Sequence, residues 1–508
     1  MPLSDPAYHA LDRLAELLPL RAYIAGQRPY SERELCRLAG VSRPLAQDIA
    51  TESERRIAEA LVRSLQERCL PRTLSGDAAV VIASTDAPRR PLAGSFGFPT
   101  EATLGSTGER RLGMALEPGQ TVSSELGIRT QPLPWLAAGA RGRFQAHRRW
   151  GTANGGPGAE LLTASVRARR GNAVLLIGRE QTAWAQRRGD GFFLASDAPA
   201  LDQVALSADR PFLLPGVFRR LGPAQGTVLL ADLGASRVRS HSRLLAYKVS
   251  IQPAANVELG GTFFNHFGGE GARSSRTIDR VIDFLPFVDI FRRHNYFDPE
   301  RPLDVESDKV IGIDGRVRLS RLGGVTLAGE WLIDDFDVYK LPKLLGYLGS
   351  HSLAATIPRV ASPGVSVTIS AKHLGVLTST HATLTNGSTT RGRLLGDELG
   401  PDSKAFAGLV QWTPSAATHA SLELRHAVHS NALYGAVYTD SARTIYEYST
   451  RARFADETRD RLLATARVSP TRRTAVTARL AAELVRNADF QGHRRRDFLV
   501  ELGVLLHP

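Results

Sequence analysis

The 508-residue sequence predicts a mainly β protein: a large antiparallel transmembrane β-barrel preceded by a small N-terminal α-helical bundle. Three observations carry that prediction. From about residue 160 onward, short stretches alternate apolar and polar residues with period two, as strands with unlike faces do. The polar faces are densely charged over many strands, which suits a barrel with lipid outside and a polar lumen inside. The connections fall into two classes, tight turns and much longer loops, which alternate along the chain.

Residues 1–75 read as helices and form the first of two expected domains, a bundle on the periplasmic side. Asp5–Pro6 precede an amphipathic run, Ala7–Leu18, with Leu11, Leu14, Leu17 and Leu18 on one face. Ser31 and Glu34 make a capping box for a helix over Glu32–Ala39, and a longer helix over roughly Thr51–Cys69 presents Ile57, Leu61 and Leu65. Cys36 and Cys69 both lie here, which permits a disulfide in an oxidising compartment without requiring one. Pro71 ends the helical part.

Residues 76–508 form the expected barrel. The pattern changes to strands at Ala78–Ser84 and continues through Leu112–Glu117, Val122–Arg129 and Arg141–Trp150. In Lys309–Ser320, Ile311, Ile313, Val317 and Leu319 share one face, opposite Asp314, Arg316, Arg318 and Ser320. Leu245, Tyr247, Val249 and Ile251 stand in the same way against Ala246, Lys248, Ser250 and Gln252. Phe498, Val500, Leu502, Val504 and Leu506 mark a final strand.

Tight turns near Arg170–Asn172, Pro253–Asn256, Leu322–Gly324 and Ala361–Gly364 alternate with long segments. Those segments are roughly Thr182–Leu201, Gly268–Ser307, Asp334–Ser350 and Leu377–Ala405. Short turns at one end and long loops at the other is the construction of outer-membrane barrels, with the short turns periplasmic. Within the longest segment, Ile278, Val281, Ile282, Leu285 and Val288 recur at helical spacing. They predict a helix over Thr277–Arg293 lying across a barrel mouth, the alternative being a helix against the outside of the sheet. After residue 430 the turn signals blur, so the pattern gives about 16 to 20 strands.

Composition narrows the class further. No stretch of 18 apolar residues exists, which excludes a helical membrane span. A mean hydropathy of −0.16 does not separate a soluble protein from a barrel, because half of every barrel strand is polar. Net charge is +13, carried by arginine, with six lysines among 64 basic residues. Such a field favours polyanions such as acidic polysaccharide, anionic headgroups or nucleic acid. Residues 1–20 lack the features of a secretory signal, so the expectation is a mature form or an upstream start if the protein is exported, and otherwise a cytosolic protein.

Motifs for catalysis are missing: there is no HExxH, P-loop, Gly-x-Ser-x-Gly elbow or paired Cys–His metal spacing. No enzyme activity, cofactor or metal is expected. Ser31–Ile49, with Leu35, Ala39–Gly40 and Val41, has the spacing of a helix-turn-helix, weighed against an ordinary bundle. Asp314, Arg316, Arg318, Glu330, Glu423 and Arg425 fall on lumen faces, where neutralising ladders are expected and a conduction path is the alternative. The segment Ile177–Ala198 mixes Arg179, Trp184, Arg187, Arg188, Asp190 and Asp197 with Phe192 and Phe193. Aromatic faces stack on sugars and guanidinium groups fork onto carboxylates, so these are candidate polysaccharide contacts, with Arg292 and Arg293 completing the set. Membrane-girdle aromatics are the competing reading.

Several segments then resemble the Wzi-type capsule assembly proteins. They are Tyr8 with Leu11–Asp12–Arg13–Leu14, Gly26–Gln27–Arg28–Pro29–Tyr30–Ser31 leading to Glu34–Leu35, and Ile177–Gly178–Arg179 with Trp184. Ala195–Ser196–Asp197–Ala198–Pro199, Val257–Glu258–Leu259–Gly260 leading to Gly268–Gly269–Glu270–Gly271, and Gly312–Ile313–Asp314–Gly315–Arg316 follow in order. The resemblance implies an 18-stranded outer-membrane barrel with a periplasmic helical bundle, acting as a lectin. The expected protein is therefore a monomeric outer-membrane binder of capsular or other acidic polysaccharide that contacts lipid but no nucleic acid. A porin-like channel is the second hypothesis, and a cytosolic regulator using Ser31–Ile49 the third.

Overall fold

A computed structural model describes the chain except residues 1, 4, 70–72, 93, 96–101, 110–115, 150–154, 188–189, 273–276, 286–306, 335–348, 382–383, 439–445, 472 and 507–508. Eighteen strands form the wall. They are β1 (Leu74–Thr85), β2 (Gly119–Leu133), β3 (Leu136–Arg149), β4 (Gly155–Arg170), β5 (Ala173–Glu180) and β6 (Leu201–Ala208). Next come β7 (Pro223–Asp232), β8 (Arg243–Ala254), β9 (Val257–Phe267), β10 (Ser307–Leu319), β11 (Val325–Asp334) and β12 (Ser350–Ile357). The last six are β13 (Val365–Leu374), β14 (Ser403–Ser415), β15 (Thr418–His429), β16 (Glu457–Val468), β17 (Thr474–Ala488) and β18 (His493–Leu506).

Each strand pairs antiparallel with its neighbour in sequence, and β18 returns to β1 in the register Ala78↔Leu506 through Thr85↔Leu499, closing the barrel. Closure leaves no sheet edge, which is what allows strands to cross a bilayer. The residues that decide lipid against protein core are the apolar ones. Ile82, Leu126, Leu353, Leu424 and Leu502 are 56, 59, 62, 61 and 57 % exposed, while Lys248, Glu258, Asp314, Arg461 and Glu483 are buried. An apolar belt of that extent belongs in hydrocarbon, since in water it would drive aggregation.

The loops sort as the sequence predicts. Pro134–Trp135, Gly171–Asn172, Ala255–Asn256 and Ala416–Ala417 turn the chain at one end, and segments such as 181–200, 268–306 and 375–402 connect strands at the other. The Leu112–Glu117 strand is not found: its early part lies outside the described residues, and Leu116 and Glu117 are irregular. The blurred pattern after residue 430 has a cause. Leu433–Tyr438 and Tyr446–Arg451 pair only with each other, a separate hairpin inside the long β15–β16 connection.

Three helices, α1 (Ala7–Leu17), α2 (Glu32–Gln47) and α3 (Glu52–Gln66), pack through Leu11, Leu14, Leu35, Leu38, Leu61 and Leu65. Ser31 caps α2 by accepting the Glu34 N–H at 3.0 Å, and a disulfide joins Cys36 to Cys69. The helix-turn-helix expectation is corrected here: α2 runs unbroken through Ala39, Gly40 and Pro44. Proline strains a helix through the carbonyl four residues back, and here that residue is Gly40, with open space beside it.

The helix expected across the mouth is also corrected. In its described part, α4 (Thr277–Asp283), the Asp283 carboxylate accepts from Asn265 at 2.7 Å and Ser307 at 2.8 Å and pairs with Lys309 at 2.8 Å. Asn265, Ser307 and Lys309 share the outward side of their strands, one residue out of phase with lumen-facing Glu258 and Asp314. The helix therefore lies against the outer wall.

Candidate functional site

The lumen is filled from both ends. From the short-turn end, the N-terminal segment rises beside β7–β10: Glu258 accepts the Ala25 and Gly26 N–H groups at 2.9 Å, and Gln27 donates to the Gln225 carbonyl at 2.9 Å and Ser250 at 3.0 Å. From the other end, segment 181–200 folds inward and meets it, with Arg28 and Ala183 exchanging two backbone hydrogen bonds at 2.9 and 3.0 Å. Trp184 packs on Phe264, and Phe193 stacks on Phe264 at 4.1 Å. The Phe193 ring lies over Gly312, where a Cβ would come within 2.6 Å of it. That close approach accounts for a glycine in the middle of a strand.

Charge fixes this arrangement. Asp314 and Glu330 stand opposite each other on β10 and β11, a like-charge pair that needs compensation. Lys248 pairs with Asp314, Gln186 donates to Asp314 at 2.6 Å and to Glu258 at 3.1 Å, and the Phe192 N–H points at both Glu330 oxygens. Arg316 pairs with Glu258 at 3.4 Å, and Arg318 donates to the Leu17 carbonyl at 3.0 Å. Asp190 pairs with Lys372 at 2.8 Å and Arg187 at 3.3 Å. Burial works against the Asp190 carboxylate, but Lys372 and Arg187 outweigh it and hold its pKa below the usual carboxylate range.

Segment 375–402 supplies a second inward loop. Its Asp397 takes Lys372 at 2.7 Å, and its Glu398 takes Arg425 and Arg461, the latter also pairing with Glu423 at 2.8 Å. The lumen face is thus a neutralised ladder, extended onto loops that sequence separation hides. Lys248, Glu258, Lys372 and Asp397 complete it, and for the two lysines the period-two phase was the available signal.

The opposite side is open. Between the helices and the lower parts of β1–β6 lies a cavity of about 1000 Å³, lined among others by Arg129, Arg141, Arg167, Arg169 and Asp77. Arg141 reaches Asp77 and, at 3.2 Å, Glu125, while Arg167 reaches Glu180 at 2.8 Å.

Among the described residues, the candidate polysaccharide contacts do not form one surface. Arg179 lies at the strand end, one residue out of phase with the lumen face, and pairs with Asp202 at 2.7 Å. Trp184 is 2 % exposed and serves the lumen core, leaving no open ring face for a sugar at the long-loop mouth. Arg187 and Asp190 pair with each other and are both partly exposed, and Asp197 sits half-buried on the same loop. Arg188, Arg292 and Arg293 lie outside the described residues. Among the described residues no cluster of metal-ligating side chains is present.

A closed barrel with an apolar outer belt and its own loops folded into the lumen defines an outer-membrane protein of the plugged kind. The family described as capsule assembly protein Wzi matches residues 101–498, and the chain belongs to that family. Among solved structures it is similar to Wzi of Escherichia coli, described as an outer membrane protein involved in group 1 capsule assembly and a carbohydrate binding β-barrel. The TM-score is 0.69 at 14 % identity, over 98 % of this chain and 97 % of that one. OprD of Pseudomonas aeruginosa gives a TM-score of 0.45 at 8 % identity, over 85 % of this chain and 95 % of that one. Among curated proteins nothing matches.

Proposed function

We propose that the protein holds acidic polysaccharide at the cell surface from its seat in the outer membrane and takes part in capsule attachment and assembly. It acts as a monomeric binder without catalysis, its helical bundle facing the periplasm and its barrel in contact with lipid. The observation that carries this reading against a channel is the inward folding of segment 181–200, tied by Asp190 to Lys372 and by Gln186 to Asp314. A loop so anchored fills the path a solute would take and leaves the extracellular surface as the working part. The binding of carbohydrate by the similar Escherichia coli protein supports the same reading. Affinity comes from many weak guanidinium and polar contacts along a repeating polymer, which multivalency adds together.

The test is retention of an acidic capsular polysaccharide by cells lacking the protein and by cells complemented with it. Loss of retention only in the former is expected, and equal retention would end the proposal. Arg187→Ala should weaken binding to purified protein, and unchanged binding would remove Arg187 from the contacts. A large stable conductance in planar bilayers would instead favour the porin-like reading.

A further inference from the structure

On the outer face of β17 and β18 the apolar belt gives way abruptly to charge. Val476, Leu480 and Leu484 on β17, and Leu506, Val504, Leu502, Val500 and Phe498 on β18, share the outward phase. The next outward residues toward the long-loop end are Arg486, Arg496 and Arg494, all exposed. Arg486 stands directly opposite Arg494 in the ladder, and Arg496 stands opposite Leu484. Arg486 and Arg494 so placed repel each other across roughly 5 Å, and Arg496, on the diagonal from Arg486, adds a third like charge at roughly 7–8 Å.

Counter-charge is scarce. Asp460 pairs with Arg486 at 3.2 Å but is shared with His426 at 2.7 Å. Asp86, near Phe498, is taken up by the Phe498 N–H at 2.6 Å. Among the described residues Arg494 and Arg496 have no ion-pair partner. The inward neighbour Arg495 does, with Asp497 at 2.8 Å and Asp489 at 2.9 Å, so the shortage is confined to the lipid side.

The strand ends are held firmly. Asn487 donates to the Ala455 carbonyl at 2.7 Å and accepts the Gly492 N–H at 2.6 Å, and Phe490, in the same turn at φ 61°, stacks on the exposed Phe454. A non-glycine aromatic in the left-handed region is uncommon and persists where its surroundings fix it.

We infer that Arg486, Arg494 and Arg496 form a binding site for the phosphate groups of a phosphorylated glycolipid headgroup in the outer leaflet. The depth argues for lipid: the site begins where the hydrocarbon-facing residues stop, the level of headgroup phosphates. The chemistry argues for phosphate, since guanidinium forks match its oxygens, and a di-anion between Arg486 and Arg494 removes their repulsion. The inference rests on the outer-membrane reading but not on polysaccharide binding.

The test uses the full chain in phosphatidylcholine vesicles doped with bisphosphorylated lipid A or with lipid A stripped of phosphate, and measures co-purifying lipid by native mass spectrometry. The wild type should retain the phosphorylated form at least tenfold over the stripped form. At about a fivefold contribution per guanidinium near an anionic surface, the triple variant Arg486→Gln, Arg494→Gln, Arg496→Gln should lose that preference. Insertion into undoped vesicles, read by heat-modifiable mobility, tests the barrel reading separately. Equal retention of the two lipids by wild type, or an unchanged preference in the triple variant that still inserts, would overturn the site. So would capture of soluble polygalacturonate by these arginines in place of lipid A.

Discussion

Along β7–β13 the lumen is filled by inserted chain, with Gln186, Phe193 and the Gly26–Arg28 segment pressed between Lys248, Glu258, Asp314 and Glu330. Along β1–β6 the same kind of alternating strand faces a cavity of about 1000 Å³. Both walls carry arginines and carboxylates at lumen positions. The difference is what covers them: on the packed side, loop and N-terminal segment remove the charges from water and make each one dependent on its partner. On the open side Arg129 and Arg141 share Asp77 with solvent at hand.

The contrast can be broken by substitution. Lys248→Met should have the largest effect, about 3–5 kcal/mol of destabilisation, because it strands the buried Asp314 carboxylate. Unfolding midpoints in detergent check it, and a loss under 1 kcal/mol would mean that water reaches the packed side. Cys36→Ser should cost about 3–4 kcal/mol, given the 33-residue separation of the bridged cysteines. That loss should be confined to the bundle and register as earlier protease cleavage within residues 1–69.

Docking of segment 181–200 should depend on pH. The Asp190 pKa is lower folded than unfolded, so its pairing with Lys372 contributes fully above about pH 4 and is lost as pH falls through the folded value. Cleavage within 181–200 should stay slow at pH 5 and accelerate only in stronger acid; acceleration between pH 6 and 7 would contradict the assignment. Asp77→Asn, on the open side, should cost less, about 1–3 kcal/mol, since the cavity beside Arg129 and Arg141 lets water take up part of what the carboxylate supplied. An effect equal to that of Lys248→Met would erase the distinction between the two sides.

Much of the wall is legible in the sequence, because period two is a local property. Lys309–Ser320 shows its two faces without reference to any neighbour, and Pro253–Asn256 or Ala361–Gly364 announce a turn by composition. The lumen contents are not local. Gln186 meets Asp314 across 128 residues and Lys372 meets Asp190 across 182, and no spacing rule connects loop residues to strands so far away. Trp184 shows the consequence. Its company of Arg187 and Asp190 suggests a sugar platform, whereas the ring packs on Phe264, a residue 80 positions on. The strand count blurred for a related reason, since Leu433–Tyr438 and Tyr446–Arg451 are strands that pair with each other and never join the wall.

The seam between β1 and β18 sets an order of events in biogenesis. The first strand pairs with the last, so no intermediate lacking residues 493–506 can close into a cylinder. Until then the strip Val80–Ile82 and the edge of β17 each expose a row of unpaired amides, the kind of template that recruits foreign strands. The helices precede β1 and must be in place beneath the half-built wall before the final hairpin zips, or be shut out by it. A nascent chain stalled before β18 should therefore be a substrate for quality-control proteases, and not a smaller barrel.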